Sequence, residues 1–209
     1  MRRMVLFLLA ASLCLSLPAY GMSPEEARAK LGHLGLPFTG ETFVGKVQSG
    51  HRLIIQWFLE AGIDVNAKDS VGRTALMTAP CLHKEIFWKL LGRGADVNIK
   101  DNYGKTVLMR IVTARYAQAT REMFQGIMAH GADVDAKDIQ GRTALMWAAY
   151  NGNSLWTEAL LDKGADVNLR DYRGNTALDL AEMKRRIERR EKDKGYNDVV
   201  KMLRQAGAK

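Results

Sequence analysis

The chain has 209 residues, 47% of them hydrophobic and 26% charged, and it carries a formal net charge of +8. Its two cysteines are Cys14, in an N-terminal leader, and Cys81, so an internal disulfide in the mature chain is excluded and stability must come from packing. The mild excess of basic residues favours partners with acidic surfaces without naming one.

Residues 1–21 have the features of a secretory signal peptide. Basic residues open the segment, residues 5–17 are almost wholly apolar, and Ala19 and Gly21 place small side chains where a signal peptidase reads them. Because the apolar run is short for a bilayer span, a cleaved leader is favoured over an uncleaved membrane anchor. We expect cleavage before Met22, export to a bacterial periplasm and no membrane insertion afterwards. Loss of two arginines lowers the net charge from +8 to +6.

Residues 22–37 predict a short helix. Ser23 is a favourable N-cap, Pro24 fits the first helical position, and two glutamates follow in the first turn. The helix should end near Gly32, and Pro37 should break the chain after it.

From residue 38 onward the sequence repeats one pattern. Openings of the form D-x-x-G-x-T-x-L begin at Asp69, Asp101, Asp138 and Asp171. Closes of the form G-x-D-V-N or G-x-D-V-D begin at Gly62, Gly94, Gly131 and Gly164. Successive openings are about 32, 37 and 33 residues apart, a period that indicates stacked helical repeats.

On these residues the chain resembles the ankyrin-repeat family. The resemblance implies an all-α solenoid of about five helix-turn-helix repeats joined by β-hairpin loops. The repeats would span residues 38–68, 69–100, 101–137, 138–170 and 171–209. Because one repeat cannot bury its apolar face alone, stacked neighbours should share a core, and residues 22–37 should form an N-terminal capping helix.

The sequence departs from the family pattern in several places. The tetrapeptide T-P-L-H of the family reads T-A-L-M or T-V-L-M here, so the Thr–His hydrogen bond that the resemblance would imply is absent. Thr74 should still cap the first helix of its repeat, and Pro80 should shorten or kink that helix. Extra residues around 115–122 should lengthen a first helix or make the connection bulge. The charged run 184–194 is interpreted as a solvated extension of the last repeat's first helix.

No catalytic or metal-binding pattern is present in the sequence. The four histidines are dispersed, and the chain lacks H-x-x-x-H, C-x-x-C and G-x-S-x-G, as well as a P-loop and a dinucleotide fingerprint. The opening aspartates could form a carboxylate ladder, but we interpret them as turn residues that accept backbone hydrogen bonds between hairpins. We therefore expect a non-enzymatic protein with no cofactor and no metal.

The resemblance places partner binding at the hairpin tips and on the concave face of the first helices. Carried over position by position, the predicted partner-binding residues are Val71, Arg73, Tyr103, Lys105, Arg110, Ile139, Arg142, Trp147, Tyr150, Tyr172 and Arg173. Arg73, Lys105 and Arg142 share one offset in their repeats, so the stack should bring them into a row. Cations beside Tyr and Trp suit an acidic protein surface with an apolar anchor, although a base at this offset could serve only solubility.

The predicted function is therefore a monomeric protein–protein interaction module in the periplasm. It could neutralise a toxin or effector as an immunity-type protein, or act as a scaffold in envelope or oxidative-stress protection, and the sequence does not separate these uses. A basic tether for nucleic acid or lipid through residues 184–194 is disfavoured, because acids interleave the bases and no aromatic alternates with them. We expect no nucleic-acid partner.

Overall fold

The structure is a computed structural model that describes residues 21–79, 84–113, 117–187 and 193–208. Within these ranges it contains eleven helices and no strand. The helices are α1 (Pro24–His33), α2 (Gly40–Gln48), α3 (Arg52–Glu60), α4 (Ala75–Thr78), α5 (Lys84–Gly92), α6 (Val107–Thr113), α7 (Ala117–Ala129), α8 (Ala144–Tyr150), α9 (Ser154–Asp162), α10 (Ala177–Ile187) and α11 (Asp193–Gln205). None of these helices is both long and apolar enough to cross a membrane. The predicted signal peptide lies outside the described residues except for Gly21, as does Cys81.

The first helices of successive repeats form one continuous layer. Helix α2 packs on α4, α4 on α6, α6 on α8, and α8 on α10. Each of them also packs on the second helix of its own repeat, and one apolar core runs along the stack. Ala148 and Ala149 of α8 are fully buried in this core, where small side chains let neighbouring helices approach closely. This arrangement confirms the predicted all-α solenoid.

The N-terminal helix α1 covers the open side of α3. Ser23 and Glu26 form a capping box, in which each side chain accepts a hydrogen bond from the other residue's backbone N–H, at 3.2 and 3.0 Å. Ala27 and Leu31 are buried, and α1 packs against α3. The Arg28 Nε–H donates to a backbone carbonyl after α3 at 3.1 Å. An amphipathic first helix therefore shields a face that would otherwise be exposed at the end of the stack.

In the second repeat the first helix, α4, has only four residues, which agrees with the predicted shortening. Pro80, to which the prediction attributes the shortening, lies outside the described residues. The prediction that the Thr74 hydroxyl caps this helix is wrong. The backbone N–H of Met77 instead donates to the Thr74 carbonyl at 3.1 Å, so the tight first turn leaves the Thr74 Oγ1 buried without a hydrogen-bond partner. In the regular repeat, Thr143 does cap its helix, accepting from the Met146 N–H at 3.3 Å.

The two long repeats each contain a second helix of 13 residues. In repeat 101–137 the second helix α7 has 13 residues and begins at Ala117, whereas the first helix α6 has the ordinary seven. Residues 114–116, directly after α6, lie outside the described ranges, so a longer first helix and a bulged connection both stay predictions. In the last repeat the first helix α10 does continue into the charged run, as far as Ile187.

A ladder of polar side chains joins the loops that follow the second helices. The Asn98 side chain accepts from the backbone N–H of Asp133 at 2.8 Å and donates to the Gly131 carbonyl at 2.9 Å. One repeat later Asp135 occupies the same position and accepts from the backbone N–H of Asp166 at 3.1 Å. A carboxylate has no N–H to donate, so the second bond of the ladder is not made at this step.

Candidate protein-binding surface at the repeat tips

Each repeat tip is shaped by the aspartate that opens the pattern. One oxygen of Asp138 accepts hydrogen bonds from the backbone N–H groups of Gln140 and Arg142, at 2.8 and 2.9 Å. The other three opening aspartates accept from the amides at the same two positions of their own turns. This confirms that the recurring aspartates are turn residues, but the predicted hydrogen bonds between hairpins are wrong: the backbone amides that each one binds belong to its own turn.

Backbone hydrogen bonds also hold consecutive tips against each other. The N–H of Ile139 donates to the Tyr103 carbonyl at 3.1 Å, and the N–H of Tyr172 donates to the Gln140 carbonyl at 3.0 Å. Gly104 has a φ of 71°, and a Cβ on it would lie 2.7 Å from the Ile139 nitrogen. The glycine therefore serves both the left-handed turn and the close contact between neighbouring tips.

The stacked tips expose one large apolar side chain each. Val71, Tyr103, Ile139 and Tyr172 are 37%, 57%, 59% and 74% exposed. Because the tips are joined by backbone hydrogen bonds, these side chains follow one edge of the molecule. Exposed apolar side chains that are gathered on one surface, and not scattered, are typical of interaction sites.

The second oxygen of each opening aspartate binds a side chain. The Asp101 Oδ2 accepts from the Arg110 Nη2 at 2.6 Å, and the Asp138 Oδ2 accepts from the Trp147 Nε1 at 2.9 Å. Arg110 and Trp147 stand at the same offset from their aspartates, so the turn aspartate fixes the first-helix side chain that faces the tip. Both side chains are partly exposed.

Asp171 is bound from the preceding repeat. The Arg142 Nε lies 3.6 Å from the Asp171 Oδ2, and Asn175 donates both its backbone and its side-chain N–H to Asp171. Burial on its own would raise the pKa of Asp171, but these hydrogen bonds, one from Arg173 and the Arg142 charge outweigh it, so the pKa lies below its usual value. The carboxylate thus stays charged and holds Arg142 in place.

Cations and aromatic rings alternate across the last three repeats. The Lys105 Nζ lies 4.2 Å from the centroid of the Trp147 ring, and the Arg142 guanidinium lies 5.1 Å from the same centroid. Arg142 also lies 5.2 Å from the Tyr150 ring, whose centroid is 4.7 Å from the Lys184 Nζ. At these distances each ring face attracts the neighbouring cation. We call these five residues the cation–aromatic column.

A cleft of about 350 Å³ opens at one end of the column, between the tips of the third and fourth repeats. Its lining consists of Tyr103, Lys105, Arg110, Asp138, Ile139, Gln140 and Trp147. The Asp138 side chain lies beneath this surface with both oxygens hydrogen-bonded, whereas Lys105 pairs with no carboxylate among the described residues. The cleft therefore presents basic and apolar groups to solvent.

A family model described as ankyrin repeats (3 copies) matches residues 44–138 and 111–209. The chain belongs to the ankyrin-repeat family. No curated protein matches it. Ankyrin repeats generally bind other proteins and are typically non-enzymatic, so the stack is a protein–protein interaction module.

The ankyrin stack brings most of the predicted binding residues together. Tyr103, Lys105, Arg110, Ile139 and Trp147 line the cleft, and the rest lie in the adjoining column or at the other tips. Their role in binding stays a prediction.

Of the predicted row of cations, Lys105 and Arg142 do meet, at the Trp147 ring. Arg73 is held within its own turn, where its Nε donates to the Asp69 Oδ2 at 2.7 Å.

Sequence reasoning missed Lys184, whereas it places Gln140 at a hairpin tip. Lys184 was interpreted as part of a solvated run, but the length of α10 carries it to the Tyr150 ring. Gln140 lines the cleft at the tip of the fourth repeat. Other described members of the basic run bind within the last repeat: the Arg185 Nη1 lies 3.3 Å from the Asn197 Oδ1, and the Arg186 Nη2 lies 3.8 Å from the Glu182 carboxylate. Among the described residues, no group of three or more His, Cys, Asp or Glu is placed to hold a metal ion.

Proposed function

We propose that this ankyrin protein is a monomeric binding module of the bacterial periplasm that holds a partner protein with an acidic surface. One observation carries the proposal. The cation–aromatic column and the exposed tip side chains lie side by side, so a single face offers both positive charge and apolar contact area. Tyr, Trp and Arg supply most of the binding energy at known protein interfaces, and charge complementarity guides the approach of the partner.

The structure decides which charges can be reversed in a test. Arg142 is held by Asp171 and packed on two rings, so a glutamate there would face a buried carboxylate and destabilise the fold. Lys105 and Arg173 have no ion pair within the described ranges, so reversing them breaks no salt bridge there; Lys105→Glu gives up the contact with the Trp147 ring. The double variant Lys105→Glu/Arg173→Glu is therefore the test, and the exposed pair Lys89→Glu/Lys163→Glu on second-helix ends is its control.

The experiment is affinity capture from a periplasmic extract with the full-length chain, tagged at its C terminus. We expect one stoichiometric partner with the parent and the control, and loss of most of it with Lys105→Glu/Arg173→Glu. Equal capture by all three baits would contradict the proposed surface, and no partner from any extract would contradict the binding function.

Location and biological use are tested separately. Cell fractionation should recover the protein in the periplasm with Met22 as its first residue, if residues 1–21 act as a signal peptide. For an immunity-type role, expression of the captured partner alone should arrest growth, and co-expression of this protein should restore it. Growth that is unaffected by the partner, together with sensitivity of a deletion strain to oxidants, would point instead to a stress-protection scaffold.

A further inference from the structure

The cleft between the third and fourth tips has the size of a pocket for one or two side chains of a partner. Its volume of about 350 Å³ is at the lower end of the range for ligand sites. It is open on the side of the tips, where Tyr103 and Ile139 are more than half exposed. A short segment of another protein can therefore enter it without any rearrangement of the stack.

The basic wall of the cleft has unused hydrogen-bonding capacity. The Lys105 ammonium contacts the Trp147 ring and no carboxylate among the described residues. The Arg110 Nη2 binds Asp101, but the Arg110 Nε is buried and has no hydrogen-bond partner. Because the Arg110 Nε is shielded from solvent, the Lys105 ammonium is the donor through which a ligand would bind this wall.

The pattern of ion pairs in the cleft favours a group with a single negative charge. Arg110 is paired with Asp101, and the negative charge of Asp138 lies beneath the surface, where it accepts three N–H groups; Lys105 is the cation of the cleft that forms no ion pair among the described residues. A partner's carboxylate that enters the cleft would pair with Lys105, beside the Arg110 guanidinium. A doubly charged phosphate would exceed this single charge and would lie near two buried carboxylates.

The other wall of the cleft is apolar. The Tyr103 and Ile139 side chains stand on adjacent tips whose backbones are joined by a 3.1 Å hydrogen bond, and the Trp147 ring lies below them. An aliphatic or aromatic side chain of a partner would remove these surfaces from water. The apolar and basic walls belong to the same cleft, so two neighbouring residues of one partner segment can contact one wall each.

We propose that the cleft binds a segment of a partner protein in which a glutamate or aspartate stands next to a large apolar residue. The carboxylate pairs with Lys105, and the apolar side chain packs on Tyr103, Ile139 and Trp147. This inference rests on the proposed binding function and names the chemistry of its anchor point.

The probes are two pools of octapeptides with acetylated N termini and amidated C termini. Both pools have leucine, phenylalanine or tryptophan at the fourth position and random neutral residues elsewhere; the fifth position is glutamate in one pool and glutamine in the other. Each pool is passed over the immobilised full-length protein, and the retained peptides are quantified by mass spectrometry. We expect the glutamate pool to be retained about fivefold better, the effect of one partly exposed ion pair.

Variants locate the effect. Lys105→Gln should reduce the preference for the glutamate pool to within about twofold, whereas Lys89→Gln, on an exposed helix surface outside the cleft, should preserve it. Equal retention of the two pools, retention of neither, or an unchanged preference in Lys105→Gln would overturn the assignment. If the full-length protein captures a partner but the pools are retained equally, the binding function stands and the cleft is not its acidic anchor point.

Discussion

The indole Nε1 of Trp147 donates a 2.9 Å hydrogen bond to the Oδ2 of Asp138, nine positions before it in the chain. The bond joins the residue that shapes a tip to the ring at the centre of the cation–aromatic column. The Asp138–Trp147 pair therefore both stabilises the turn and orients the central ring of the proposed binding surface.

Replacing Trp147 by phenylalanine keeps a ring in the column but removes the donor. Because the Asp138 carboxylate is buried, the loss should lower the free energy of unfolding by about 1–2 kcal/mol. The same substitution in an Asp138→Asn background should cost less, since a neutral amide without a partner is cheaper to bury than a charge. Urea unfolding of the four proteins measures the coupling, and additive effects would contradict it.

Gly104 and Gly174 form a matched pair for the contact between tips. Both have positive φ, 71° and 83°, but a Cβ on Gly104 would meet the backbone of the next tip at 2.7 Å, whereas a Cβ on Gly174 would meet nothing within 4 Å. Gly174→Ala should cost about 1 kcal/mol for the backbone conformation, and Gly104→Ala about 2–4 kcal/mol because the tips must also separate. Equal costs in chemical denaturation would mean that the tips do not restrain each other.

Asp135 is a position where one substitution should stabilise the protein. Burial first, and the charges of Asp133 and Asp166 after it, raise the pKa of Asp135 above its usual value. Asp135→Asn removes this repulsion and supplies the N–H donor that Asn98 provides one repeat earlier. We expect a gain of about 0.5–1.5 kcal/mol at neutral pH, with the exposed Asp162→Asn as control.

The pH dependence of this gain follows from the raised pKa. As the pH rises, Asp135 ionises in the unfolded chain at the ordinary aspartate pKa and in the folded protein only at a higher pH. The parent therefore loses stability between these two pKa values, and the loss is complete above the folded pKa. The advantage of Asp135→Asn should therefore be full at neutral pH and shrink in acid. An advantage that is the same at both pH values would show that charge is not its cause.

Asp171 should behave in the opposite way. Its pKa is lowered, so its contribution to stability is present above the unfolded pKa and is lost as the pH falls through the folded pKa. Asp171→Asn should cost about 1–2 kcal/mol at neutral pH, because Arg142 loses its counter-charge. Unfolding curves of parent and variant should converge in acid, and a difference that persists there would contradict the linkage.

The repeat pattern was sufficient to predict the solenoid. The openings and closes repeat at a nearly constant spacing. Their glycines, threonines and apolar residues have local roles in ending a helix, starting a helix or filling the core, and these roles depend little on the rest of the chain. Thr74 shows the limit of such reasoning. Its hydroxyl matches the capping position, but the helix after it has only four residues and its first turn closes on the Thr74 carbonyl instead.

The predicted site was less complete, because its contacts join residues that the family pattern leaves variable. Offset alone placed Lys105 and Arg142 near each other, but nothing in the pattern indicates that Trp147 lies between them or that it binds Asp138. Lys184 was hidden in a charged run whose path depends on how far α10 continues. Sequence periodicity predicts which face is exposed, whereas side-chain pairs across repeats require coordinates.

The most direct test of the central claim is the dissociation constant of the captured partner, measured by titration calorimetry against the parent, Lys105→Glu/Arg173→Glu and Lys89→Glu/Lys163→Glu. If the cation–aromatic column and the neighbouring tips hold the partner, Lys105→Glu/Arg173→Glu should bind at least about tenfold more weakly than the parent. The control variant should bind as tightly as the parent. Binding by Lys105→Glu/Arg173→Glu within about twofold of the parent would place the partner on another surface.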